Sequence, residues 1–255
     1  MPAARRPPTR PHRAVGHRRR PGRDRYRGRR ARRLVHGGNA VSFELHPCYQ
    51  PPITGQNGAL LVLEGISGSG KSTLTRLLAE RLGAETLHVI PRPLSSLIGY
   101  VSDHGGALTQ FAFHLAGALD AADTARRALV SGNLVADRWI ASVVVNHAAA
   151  NQLDLEVAAG AFRPYLGYLP RPDLTVYLET SEKEIRHRMD TRPARAATDR
   201  FLARRPALLS HVQELYRLFA ATDTTGVSIS TDGRTPEELA EEIHSLLEGR
   251  RAQSR

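Results

Sequence analysis

The stretch "LLVLEGISGSGKSTLTRLL", residues 60–78, constrains this chain more than any other. An apolar run through 59–64 stops at Glu64, and Gly65 to Ser72 then fit G-x-x-x-x-G-K-[ST] at every specified position. Beyond it Leu74, Leu77, Leu78 and Leu82 recur at helical spacing until Gly83 closes the pattern. The order is therefore a buried strand, a glycine-rich turn and an amphipathic helix. Glycines let successive backbone N–H groups converge on one point, and the helix aims its positive end at that point, so the main chain can hold a polyphosphate. Lys71 adds a point charge for the β- and γ-phosphates, and the Ser72 hydroxyl is placed for Mg²⁺. The nucleotide-contact set is Gly65, Ile66, Ser67, Gly68, Ser69, Gly70, Lys71, Ser72 and Thr73. Lys71 is one of two lysines in a chain with 34 arginines. An ordinary strand-to-helix turn would leave that choice unexplained.

The remainder repeats the alternation. "ETLHVI" (85–90), "NLVAD" (133–137), "DLTVYLE" (173–179) and "GVSIS" (226–230) read as four further strands, separated by helical stretches that include an alanine-rich one over 108–130. Ser181…Glu184 and Thr235-Pro236…Glu238 are capping boxes that open two of the helices. Strands alternating with helices of this length imply right-handed crossovers and a parallel sheet. In such a sheet the carboxyl ends of the strands face the ligand crevice, which places Asp137 and Arg138 of "ADRWIAS" beside the phosphates. An acid there can hold Mg²⁺ and an arginine can clamp a phosphate; an Asp-Arg pair capping a strand end is the plainer alternative.

The formal net charge of +11 would suggest nucleic acid if it covered a folded surface. It does not: residues 1–33 hold fourteen arginines and one acid, and the rest of the chain, with 22 bases and 24 acids, is close to neutral. Residues 1–55 are expected to be a disordered Arg/Pro-rich tail, because they lack apolar periodicity and are broken by Pro and Gly. The tail is either an arm for nucleic acid or anionic lipid, or upstream sequence read from a wrong start, with Val35 and Val41 as alternative starts. Residues 56–250 form the expected folded domain. Cys48 is the lone cysteine, which excludes an intramolecular disulfide and a cysteine-based zinc site. No run of eighteen apolar residues occurs, so no membrane partner is expected and the expected location is cytoplasmic.

From about Gly58 to Leu247 the sequence resembles the thymidylate kinase family and, more loosely, deoxynucleoside kinases. "LEGISGSGKST" resembles the family's strand and phosphate loop, and "DRWIAS" its Asp-Arg-aromatic followed by serine. "RPDLTVYLETSEKEIRHRM" resembles its fourth strand and basic helix, "ATDRFLARRPALLSHVQELYRLFA" its lid and next helix, and "STDGRTPEELAEEI" its adenine-packing loop. The resemblance implies an α/β P-loop NTPase fold: a three-layer sandwich with a five-stranded parallel sheet and a helical lid. It also implies ATP as donor, Mg²⁺, a small-molecule phosphate acceptor and often a homodimer. Under it Lys71 and Ser72 serve ATP and metal, Asp137 the metal region and Arg138 the acceptor phosphate. Arg188, and Arg192, Arg195 or Arg200 in the lid, serve charge on the transferring group.

Three departures lie on the acceptor side. Ser67 stands where the family has an acid in the loop. "PRP", Pro91-Arg92-Pro93, stands where it has Arg-Glu-Pro or, in nucleoside kinases, Pro-Glu-Pro. Arg92 cannot take a proton from a hydroxyl but can bind an acceptor phosphate, which favours a monophosphate. The helix expected to read thymine has no arginine before Arg126. Phe111 and Phe113 offer stacking there, although residues at i and i+2 on a helix cannot face one pocket, so at least one packs in the core. His114 and Asp103-His104 read as surface or core groups, and Trp139 as packing under the site. The expectation is transfer of the ATP γ-phosphoryl group to dTMP or a close analogue. The alternatives are a kinase for a hydroxyl of a nucleoside or small metabolite, and a nucleotide-binding regulator without efficient transfer.

Overall fold

The computed structural model describes residues 49, 51, 55–191 and 206–253. Backbone contacts divide the chain after Ser42, and every described residue lies in the second unit, Phe43–Arg255. The Arg-rich stretch and the lid arginines Arg192, Arg195 and Arg200 lie outside the described residues.

Five strands form one sheet: β1 (Leu60–Glu64), β2 (Glu85–His88), β3 (Leu134–Asp137), β4 (Leu174–Glu179) and β5 (Gly226–Ser230). All pairings are parallel and the order is β2-β3-β1-β4-β5, so β1 is central, paired along one edge with β3 and along the other with β4. Central position explains why "LLVLE" is apolar on both faces: every residue of β1 is buried. The period of two then divides it. Leu60 and Val62 join one core with Leu134, Ala136 and Tyr177, whereas Leu61 and Leu63 join the other with Val135, Leu174 and Val176. Each fully buried leucine contributes about 1.5–3 kcal/mol relative to exposure.

Helices cover both faces. The helix α1 (Lys71–Leu82) and the C-terminal helix Pro236–Gln253 supply Leu74, Leu78, Leu239 and Ile243 to one core. The other is covered by α4 (Ala107–Ser131), α5 (Ile140–Asn151), α6 (Leu155–Phe162) and α8 (Pro206–Ala220). Two short helices, α2 (Arg92–Ser95) and α3 (Ile98–His104), precede α4; α7 (Glu182–Thr191) follows β4, and the C-terminal helix is α9. This is the expected three-layer α/β sandwich.

Boundaries differ from expectation at β2, which ends at His88 rather than Ile90 because the Ile90 N–H is taken by His88 Nδ1 (3.1 Å) instead of a strand partner. The box before α9 closes in both directions: Thr235 N–H donates to Glu238 Oε2 (2.8 Å) and Glu238 N–H to Thr235 Oγ1 (3.2 Å). Before α7 only one half forms. Glu184 N–H donates to Ser181 Oγ (3.3 Å), but the Glu184 carboxylate turns to Arg188 Nε (2.7 Å). No helix among the described residues is long and apolar enough to cross a membrane.

Candidate active site

The loop between β1 and α1 turns through three left-handed glycines, Gly65, Gly68 and Gly70, at φ 136°, 90° and 96°. Gly65 is doubly required: a Cβ there would lie 2.8 Å from the Leu178 carbonyl oxygen and 3.2 Å from Ser69 Oγ. Such an approach, at a φ costly for any other residue, leaves only glycine. The helix starts at once with Lys71, which is 5% exposed. Its Nζ donates to Gly65 O (2.8 Å), Ile66 O (2.6 Å) and Ser69 Oγ (3.3 Å), so the ammonium sits in the mouth of the loop.

Ser72, one residue on, donates from Oγ to Asp137 Oδ2 (2.8 Å), joining α1 to the end of β3. The second carboxylate oxygen, Asp137 Oδ1, is buried without a hydrogen-bond partner among the described residues. A buried acceptor left unpaired costs roughly 1–3 kcal/mol, more if charged. A hydroxyl and a carboxylate, both hard oxygen donors, meet at the mouth of a phosphate-sized loop. This donor set fits a Mg²⁺ ion that takes its other ligands from phosphate and water.

Arg138 follows at φ 76°, a value uncommon for any residue but glycine. Its N–H donates to Leu63 O (2.9 Å), and its Nη1 donates to Gly65 O (3.2 Å), Ser142 Oγ (3.0 Å) and Tyr216 OH (3.3 Å). Burial is the largest influence on this guanidinium and opposes its charge. Tyr216, Glu64 and Asp137 together outweigh it and hold the pKa above the ordinary value.

The sequence did not single out Glu64 as a functional group. Its side chain is fully buried; Oε1 accepts from the N–H groups of Trp139 (2.8 Å) and Ser142 (3.0 Å), and Oε2 accepts from the Ser142 hydroxyl. Burial raises its pKa, opposed by the Ser142 hydrogen bonds and the charge of Arg138. A carboxylate ending an otherwise apolar central strand demands a partner, and that was the one available signal. The partner stands 78 residues away. His88, at the end of β2, was also missed. It lines a groove of about 760 Å³ with Ser72, Asp137 and Arg92, and burial lowers its pKa while Asp137 opposes that shift.

Arg188, on α7, also reaches the loop: a Cβ on Gly70 would lie 3.6 Å from its Nη1, and Nη1 and Nη2 bond Thr231 Oγ1 and O, each at 3.3 Å. Arg92 is exposed and opens α2, on the wall of the groove beside Asp137. Phe111 is not brought to the loop. It is buried in the core, edge-on to Phe162 (4.9 Å between centroids) and tilted against His147 (5.3 Å). Trp139 packs beneath the site at 5% exposure, as expected. His104 and His114 bond the carbonyls of Tyr100 and Gln110 one turn back on their own helices.

A central parallel strand, a glycine loop with an inward lysine, and a Ser-Asp pair at the next strand end define a nucleotide site of the P-loop class. The family model for thymidylate kinase matches residues 63–243, and the chain belongs to that family. It is 32% identical over 186 residues to a thymidylate kinase of Nitrobacter winogradskyi, covering 68% of this chain and 80% of that protein. It is also 30% identical over 200 residues to a shikimate kinase of Salinispora tropica, covering 73% of this chain and 96% of that protein. The solved structure of thymidylate kinase from Candida albicans shares the fold, with TM-score 0.63 at 18% identity over 78% of this chain and 94% of that one.

Proposed function

We propose that the protein transfers the γ-phosphoryl group of ATP to a nucleoside monophosphate, dTMP or a close analogue. The observation that carries this is the pair of cationic groups meeting at one carbonyl: Lys71 Nζ and Arg138 Nη1 both donate to Gly65 O, at 2.8 and 3.2 Å. One cation lies inside the donor loop and the other lies on the strand end beside it, which suits a donor and an acceptor that are both phosphates.

The roles follow from position. Loop N–H groups other than those of Ser69 and Thr73, which donate to Ile66 O and Gly70 O, hold the donor's β-phosphate, and Lys71 exchanges loop carbonyls for β- and γ-oxygens. Ser72 and Asp137 would hold Mg²⁺, which would supply neutralisation of the negative charge developing on the phosphates. Arg138 holds the acceptor phosphate, and Arg92, on the wall of the groove beside Asp137, offers it a second cation. Arg188 stabilises charge on the transferring group, as does Arg192 of the lid segment. A monophosphate oxygen is already anionic at neutral pH and needs no general base, so positioned cations are sufficient chemistry. Glu64 cannot act as a base towards a substrate, because both its oxygens are occupied by the protein.

The shikimate kinase relative gives a second reading, transfer to a hydroxyl. That reading needs a proton acceptor at the site, and Asp137 is the carboxylate placed for it. ADP release in the presence of dTMP, other nucleoside monophosphates, thymidine, shikimate or buffer alone separates the readings. The expected result is stimulation by monophosphates, dTMP foremost. Stimulation only by thymidine or shikimate would replace the first reading with the second, and no stimulation by any acceptor would leave a nucleotide-binding regulator.

A further inference from the structure

All hydrogen bonds that the described residues make with the Arg138 side chain converge on one nitrogen, Nη1. The opposite edge of the guanidinium, Nε and Nη2, forms the two-pronged donor that matches two oxygens of a phosphate. We propose that Glu64, Ser142 and Tyr216 are positioning residues that clamp Arg138 by Nη1 and present its Nε–Nη2 edge to the acceptor phosphate. This rests on the reading of Arg138 as the acceptor's ligand.

The direction of each bond supports the clamp. The Ser142 hydroxyl donates to the Glu64 carboxylate, so its lone pairs are left for Arg138 Nη1 (3.0 Å) and for the Tyr216 hydroxyl (3.0 Å). Tyr216 in turn gives Nη1 its second hydroxyl acceptor, at 3.3 Å. Three consecutive residues of the strand and loop hold the turn: Leu63 O takes the Arg138 N–H, Glu64 takes the N–H groups of Trp139 and Ser142, and Gly65 O takes Nη1. A non-glycine residue at φ 76° persists only where its surroundings over-determine it. Here they do so from both sides. Glu64 also places its charge at the N-terminal end of α5, where helix amides favour an anion.

Glutamine at position 64 cannot reproduce this pattern. If its oxygen accepts from the two backbone N–H groups, its amide faces Ser142 Oγ and reverses the hydroxyl, taking one of the two lone pairs that serve Arg138 and Tyr216. The experiment compares the wild type with Tyr216→Phe, Ser142→Ala and Glu64→Gln in steady-state transfer from ATP to dTMP. Loss of one hydrogen bond to a charged group is expected to raise the KM for dTMP about tenfold, with the KM for ATP within about twofold. A second measurement is independent of turnover: the ¹⁵N signal of Arg138 Nε–H, assigned by its loss in Arg138→Lys, is followed with and without inorganic phosphate. The signal should shift on phosphate addition in the wild type and broaden in Tyr216→Phe and Ser142→Ala.

If Tyr216→Phe and Ser142→Ala leave the dTMP KM and the Arg138 signal unchanged, the proposal is overturned; equal rises in both KM values with an unchanged signal overturn it too. Should Glu64→Gln fail to fold, the other two variants decide. Should the wild type transfer to no acceptor, the kinase reading falls, and the Arg138 signal still decides the clamp.

Discussion

The donor and acceptor sides of the site share the Gly65 carbonyl but are built differently. Donor-side groups come mainly from one contiguous stretch, Gly65 to Thr73, where turn and helix follow β1 without interruption. The acceptor side brings together the starts of α2 and α5, the end of β3 and a side chain from α8. A contiguous site is determined by local geometry, and a dispersed one by tertiary packing. Its parts can be altered one at a time without disturbing the loop, as the departures at Arg92 and in α4 are; the departure at Ser67 falls within the loop itself.

The sharpest way to break this comparison is at Lys71. Lys71→Ala removes the point charge at the γ-phosphate and should lower transfer to dTMP by roughly a thousandfold or more, with a thermal unfolding midpoint close to wild type. ADP release under saturating ATP checks it; transfer within about tenfold of wild type would place the donor phosphates elsewhere. Next in size is Arg138→Lys. A lysine keeps the charge but loses the fork, so transfer should fall about a hundredfold, chiefly through the KM for dTMP. A matching rise in the KM for ATP would show that the two sides are not separable.

Backbone geometry tests the donor side in another way. Gly65→Ala must place a methyl 2.8 Å from Leu178 O at φ 136°, and should destabilise the fold by about 3 kcal/mol and weaken ATP binding. Gly83→Ala is the control. It sits at φ 57° with nothing within 4 Å of the new methyl, so only the left-handed penalty of about 1 kcal/mol is expected. Urea unfolding of the two variants should therefore separate them clearly, and equal losses would mean that crowding at Gly65 contributes nothing.

The same difference in construction governs what could be read from the sequence. The five strands, the layer order and the loop were legible because hydrophobic period and turn residues act over a few neighbours, and Asp137 and Arg138 were legible because strand ends in a parallel sheet share one edge. Phe111 was read as a substrate contact, but its ring packs against Phe162, 51 residues on, which no local pattern records. Glu64 appeared only as the end of an apolar run. Its partners arrive from α5, and the tyrosine completing the cluster comes from α8, so the clamp depends on how three elements pack.

The smallest expected effect concerns that cluster. Burial is the main cause that pushes the Tyr216 hydroxyl up to about 12 from an ordinary value of 10, while Arg138 works in the opposite direction. Between these two values the unfolded chain has released this proton and the folded chain still holds it. Unfolding is then accompanied by proton release, so stability falls as pH rises through the interval, on the order of 3 kcal/mol in all. Below pH 10 both states hold the proton and no slope arises from this group. Tyr216→Phe removes the titration, so its stability should decline less than the wild type's from pH 10 to 12, whatever its offset at neutral pH. Denaturant unfolding across that range measures the difference. Parallel curves would mean that the hydroxyl meets water, which would also deprive Arg138 of the dry contact on which its clamp depends.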